Sequence, residues 1–147
     1  MSEVMEIKEE IREKILELYK NNDAVMLATT GGEYSPWILG AYFASSELEL
    51  YLLLEAHGKS LANILTNKSI AVSISRNDAM QDFLQAIGEA EILDDSREPE
   101  VRKMILDKMP WFQTFTPVKP VKIKLSKIFV SSLQNSWFPA KVLEVTE

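Results

Sequence analysis

The residues best suited to chemistry in this chain stand together at His57-Gly58-Lys59-Ser60. An apolar run, Leu48-Glu49-Leu50-Tyr51-Leu52-Leu53-Leu54, leads into them. The stretch that follows, from Leu61 to Asn67, spaces Leu61, Ile64 and Leu65 as the buried face of a short helix. Gly58 has no side chain to block a ligand. Lys59 offers a cation and Ser60 a hydroxyl where the helix begins. Free N–H groups and the positive end of the helix dipole point at the same spot, so the corner suits an anion such as a phosphate. A strand-to-helix turn with a solvated lysine and a capping serine accounts for the same residues. The stretch is not a P-loop, because position 53 is Leu where Gly-x-x-x-x-Gly-Lys-Ser needs glycine. His57 could hydrogen-bond a bound ligand. Proton transfer would need a group to orient its other nitrogen, and the sequence identifies none. Trp37, Trp111 and Trp137 offer flat surfaces for core, interface or ring stacking. Trp111-Phe112 and Trp137-Phe138 are expected in proline-flanked loops, as pocket walls. The acidic residues are scattered, and no pair reads as an acid/base couple.

Composition narrows the classes. The chain has 147 residues with 46% hydrophobic and 26% charged, which fits one domain, 1–147, with its own core. Its net charge of -6 argues against nucleic-acid binding, which relies on Lys and Arg neutralising phosphates. Without cysteine there is no disulfide or thiolate, and a single histidine rules out a multi-histidine metal site, so no metal is expected. The acidic Met-Ser-Glu-Val-Met-Glu start is no signal peptide, and no apolar run reaches the roughly 20 residues of a membrane helix. A cytoplasmic protein without membrane contact is the expectation.

The elements that must position the corner follow from hydrophobic period. Val4, Ile7, Ile11, Ile15 and Leu18 mark an amphipathic helix. Strands are expected at 24–30 and 35–44, with Gly31-Gly32 supplying positive-φ positions of the hairpin turn. Ser45-Ser46-Glu47 should turn the chain into the 48–54 strand, completing an antiparallel meander. Further strands are expected at 70–75, 83–93, 121–125, 128–133 and 140–145. Gly88 inside one of them signals a bulge or a close approach. A second amphipathic helix is expected at 97–108, with Ser96 as its cap and Pro110 as its stop. Short strands with separate helices, lacking βαβ order, suggest a β-barrel decorated by helices.

In order and spacing, residues 47–93 resemble the FMN-binding split-barrel superfamily, whose best-known member is pyridoxamine 5′-phosphate oxidase. The matching features are the Leu48–Leu52 strand, His57-Gly58-Lys59-Ser60, Leu61-Ala62-Asn63-Ile64, the Asn67-Lys68 turn, Ile70-Ala71-Val72-Ser73-Ile74 and Ile87-Gly88-Glu89-Ala90. With the leading helix and the Gly-Gly hairpin the likeness covers roughly residues 5 to 93. It implies a mainly β, α+β fold: a six-stranded antiparallel split barrel, homodimeric, with cofactor sites at the interface. It further implies that Lys59 and Ser60 grip the FMN phosphate beside His57 and Gly58. The backbone of Tyr51 and Leu52 at the strand end would lie along the flavin, and Trp37, Ile38 and Leu39 would line the isoalloxazine ring. Gln81, Gln85 or Trp111 would reach the partner's flavin. The implied activity is flavin-dependent redox chemistry on a small organic substrate. The oxidase's strand arginine and lysine have no counterpart in the uncharged 36–44 run, nor has its arginine-rich C-terminal segment. These departures point away from pyridoxamine phosphate as substrate. A deazaflavin or haem in place of FMN, and a ligand-free binding or regulatory dimer, are the alternatives.

Overall fold

The computed structural model describes residues 2–145. Helix α1 spans Glu3–Asn21. Ser2 caps it by accepting from the Met5 N–H at 3.3 Å, and Glu3 and Glu6 sit in its first turn, where the dipole favours acid. Eight strands follow: β1 Ala24–Thr29, β2 Trp37–Tyr42, β3 Ala44–Ser46, β4 Glu49–Glu55, β5 Ser69–Ile74, β6 Phe83–Ile92, β7 Val118–Ser132 and β8 Trp137–Glu144. Helix α2 spans Lys59–Thr66 and α3 spans Glu98–Lys108. Among the described residues, no helix is long and apolar enough to cross a membrane.

All the strand pairings are antiparallel, and the sheet order is β2-β1-β5-β6-β7-β4-β3, with β8 on β7. β2 and β3 stand at opposite ends of that order, yet only Phe43 separates them in sequence. One residue spans at most about 7 Å between its neighbours. The two ends of the sheet therefore meet at Phe43, and the sheet is curled. Phe43 is fully buried at this corner, and its N–H donates to the Asp23 carbonyl at 3.0 Å. β7 is long enough to change partners along one edge: residues 118–123 pair with β4 and residues 127–132 with β8.

The curl encloses one core, built from Val25 and Leu27 of β1, Leu50, Leu52 and Leu54 of β4, Leu84 of β6 and Ile123 of β7. α1 adds Ile11, Ile15, Leu18 and Tyr19, while α2 adds Leu61 and Ile64. A second cluster packs α3 (Val101, Ile105) and Met109 against Ala44, Tyr51 and Leu93. Lys108, at the end of α3, joins three parts of the fold. Its ammonium donates to the carbonyls of Tyr19 (3.0 Å), Asn22 (2.7 Å) and Phe43 (3.2 Å), closing the end of α1 and the sheet corner.

Several expectations need correction. The described residues form eight strands, not six, because the 35–44 run breaks at Phe43 and β8 extends the sheet. β1 and β2 do pair, but across a loop of residues 30–36 instead of a tight Gly-Gly turn. Of the two glycines only Gly31 has positive φ, at 113°. β2 and β4 are not neighbours, so the first three strand runs form no meander. Ser45 and Ser46 lie in β3, and the turn falls at Glu47, φ 54°. Residues 121–125 and 128–133 belong to one strand. Arg97, not Ser96, is the N-cap of α3 and makes no side-chain cap bond, while Asp94 caps the short turn before it by accepting from the Ser96 N–H at 2.9 Å. Trp137 and Phe138 are in β8 and not in a loop, with Trp137 buried in the main core. Gly88 does mark a register shift, between Ile87 and Gly88.

Candidate functional site

Where β4 passes into α2, the structure has a pocket of about 420 Å³, within the usual range for small-molecule sites. Its floor is the turn that ends β4. The Gly58 N–H donates to the Glu55 carbonyl at 3.1 Å, and the Gly58 carbonyl accepts the first bond of α2, from Ala62, at 3.1 Å. Gly58 is the N-cap and no side chain caps the helix. The N–H groups of Lys59, Ser60 and Leu61 precede that first bond, as at any helix start. A Cβ on Gly58 would come within 3.3 Å of the Glu55 carbonyl, so glycine permits the tight turn.

Ser60 carries the most telling feature. It is 3% exposed, and its Oγ has no hydrogen-bond partner among the described residues. A buried hydroxyl left unpaired costs about 1–3 kcal/mol, and an orphan of this kind calls for an explanation. It lines the pocket at the start of α2, next to Lys59. The Lys59 ammonium lies 5.1 Å from the ring centres of both Tyr34 and Trp37 and has no carboxylate partner among the described residues. A cation, an unpaired hydroxyl and free helix N–H groups thus converge on one spot, with the Glu55 carboxylate beside Gly58. Glu55 lines the rim as the one carboxylate of the lining.

Strand period decides which expected residues reach the pocket. Trp37 and Leu39 of β2 line it together with His57, Gly58, Lys59 and Ser60. Ile38, between them, points to the other face and lines a separate groove with Met26, Gln85, Ile87 and Phe129. Tyr51 packs under α3, and Leu52 is buried in the main core, so neither side chain lines the pocket; Leu53, Leu54 and Glu55 do. Trp111 stacks edge-on against Tyr42 with ring centres 4.9 Å apart, and the neighbouring Phe112 lines the pocket. Gln81 lies in the loop before β6.

Two residues for which no role was expected, Asn63 and Phe115, belong to the site. Asn63 of α2 is 1% exposed. Its amide donates to Thr29 Oγ1 (3.0 Å) and the Tyr34 carbonyl (2.8 Å), and its carbonyl oxygen accepts from the Gly32 N–H at 2.8 Å. Asn63 therefore fastens the 30–36 loop to α2. Gly32 is glycine because a Cβ there would collide with the Asn63 side chain. The available signal was a polar residue at a helix position next to Ile64 that should be buried. Phe115, 85% exposed, lines the mouth of the pocket, and nothing in its spacing announced it.

The sequence matches no protein-family model and no curated protein. Solved structures do match. A pyridoxamine 5′-phosphate oxidase candidate from Listeria innocua superposes with TM-score 0.67 at 21% identity, over 82% of this chain and 97% of that one. General Stress Protein 26 from Bacillus anthracis gives TM-score 0.66 at 18% identity, over 92% and 98%. HutZ, a haem storage protein from Vibrio cholerae, gives TM-score 0.67 at 14% identity, over 80% and 92%. At these identities the likeness is one of architecture. The chain has the curled, antiparallel split-barrel fold of pyridoxamine 5′-phosphate oxidase-like proteins.

Proposed function

We propose that this chain is a homodimeric, non-covalent FMN-binding protein of the pyridoxamine 5′-phosphate oxidase-related type, acting as an oxidoreductase on a small organic substrate. The observation that carries the reading is the orphaned Ser60 hydroxyl beside Lys59 at the uncapped start of α2. A phosphate monoester answers each of those groups: it accepts from the hydroxyl, from the helix N–H groups and from the ammonium. Trp37, Leu39 and Leu53 supply apolar walls for a flat ring, and Tyr42 and Phe112 extend them. A bound flavin supplies the electron transfer. The residues of the chain bind it, orient it and keep water from it; none is assigned as a general base.

The dimer half of the proposal rests on the outer face of the sheet. Every residue of β2 is exposed or only partly buried. Ile38, Met26 and Ile87, respectively 62%, 42% and 49% exposed, line one groove with the half-buried Phe129. An apolar face on so small a chain is suited to a second copy of itself.

Titration of the purified protein with FMN and with riboflavin, followed by flavin fluorescence, tests the cofactor. FMN should bind more tightly than riboflavin. Lys59→Ala should cost FMN about 1.5–3 kcal/mol of affinity. Equal affinity for the two flavins, or full FMN fluorescence throughout, overturns the reading.

Haem is the second reading. His57, the sole histidine, is exposed and lines the same pocket, where it could serve as an axial ligand. HutZ and a haem-binding protein from Mycobacterium smegmatis share the fold. A haem absorption band lost in His57→Ala would favour this reading over FMN.

A further inference from the structure

The 30–36 loop presents Tyr34 to the site without lining the pocket. Its ring centre is 5.1 Å from the Lys59 ammonium and 6.2 Å from the Trp37 ring, which it meets at 66°. Trp37 takes the same ammonium at 5.1 Å. The cation thus faces two electron-rich rings at once, each an attractive partner. Tyr34 is half exposed, so its ring is not there to fill a core. What holds it is the backbone: its carbonyl receives the buried Asn63 amide, and Gly31 donates to Ser35 Oγ at 3.0 Å. A lysine on a helix start otherwise swings freely on its four-carbon stem.

We propose that Tyr34 is a positioning residue: with Trp37 it clamps the Lys59 ammonium at the mouth of the pocket, so that the pocket discriminates for guests carrying an anionic group. This rests on the FMN reading only for the identity of the guest. The ammonium has three N–H donors, and two ring faces occupy at most two of them, so a donor remains for an anion. It also assigns the Trp37 ring to the lysine as well as to the pocket wall.

The clamp is tested first in the ligand-free protein by NMR of the lysine ε-methylene groups, with Lys59→Arg identifying the Lys59 signal. Ring currents should move that signal upfield of the other lysines. Tyr34→Leu should return it part of the way, and Tyr34→Phe, which keeps the ring, should leave it in place. In the second arm Tyr34→Leu should weaken FMN about two- to fivefold while riboflavin affinity stays constant, and Tyr34→Phe should change neither. A Lys59 signal indistinguishable from surface lysines overturns the clamp. So does a Tyr34→Leu variant that loses FMN and riboflavin equally. If the wild-type protein binds neither flavin, the FMN reading falls, and the NMR arm decides the clamp by itself.

Discussion

Ser60 separates a binding role from a structural one. Its hydroxyl is buried and unpaired, so in the ligand-free protein it is a cost. Ser60→Ala should leave ligand-free stability unchanged or raise it by up to about 1 kcal/mol in urea unfolding, while FMN affinity falls. A capping or packing serine would show the reverse, losing stability with no effect on binding. Away from the site, Lys14 and Asp82 form a partly buried pair at 2.7 Å, linking α1 to the start of β6. The hydrogen bond with Asp82 raises the Lys14 pKa above 10.5, against the opposing effect of burial. Burial pushes the Asp82 carboxyl up, but hydrogen bonds from Lys14 and Ser132 and the Lys14 charge outweigh it and hold the carboxyl below 3.8. The Asp82 contribution is therefore present above its unfolded pKa and is lost as pH falls through the lower folded value. The Lys14 contribution is complete below 10.5 and is lost as pH rises through its higher folded value. Asp82→Asn should be less stable than wild type by about 1 kcal/mol at pH 7. Urea titrations should show that gap closing as pH drops below about 4.

At the level of the element, β6 and β7 depend on a glycine. Gly88 stands at the register shift, and a Cβ there would collide with the Lys124 carbonyl and come within 2.7 Å of the Leu125 Cα. Both obstacles are backbone, so no side chain can move aside. Gly88→Ala should cost about 1–3 kcal/mol by urea unfolding. Gly40→Ala is the contrast. There the nearest atom is the sulfur of Met26 at 3.3 Å, the end of a flexible side chain, and the cost should stay well below that of Gly88→Ala. α2 shows the same dependence on close fitting. Its buried face (Leu61, Ile64) seats it in the core, and Asn63 on the same helix fastens the loop that carries Tyr34. Helix placement and site geometry are thereby one structural event.

For the whole molecule, the proposed dimer seats a second copy on the outer face of the curled sheet. The native chain of 16.7 kDa should sediment at twice that mass. Ile38→Glu combined with Ile87→Glu places charge on the exposed groove and should return the protein to monomer, with its circular dichroism unchanged. A native chain that sediments as a monomer would remove the dimer from the proposal. A dimer that survives both substitutions would move the interface to another surface.

The amphipathic helices, the β-rich class and the strand-to-helix corner at Lys59-Ser60 were legible in the residues themselves, because period and turn chemistry are local. Gly88 was legible for the same reason: a glycine in a strand reports on its own backbone. What a residue faces across the fold is not local. Strand period by itself puts Trp37 and Leu39 on one face of β2 and Ile38 on the other, but only the tertiary fold decides which face meets the pocket. The sequence could not reveal that the two ends of the sheet meet at Phe43, that Tyr51 turns toward α3, or that Tyr34 and Lys59, 25 positions apart, share one electrostatic contact. Those facts follow from long-range pairing and burial, in which each side chain's surroundings are supplied by strands distant in sequence.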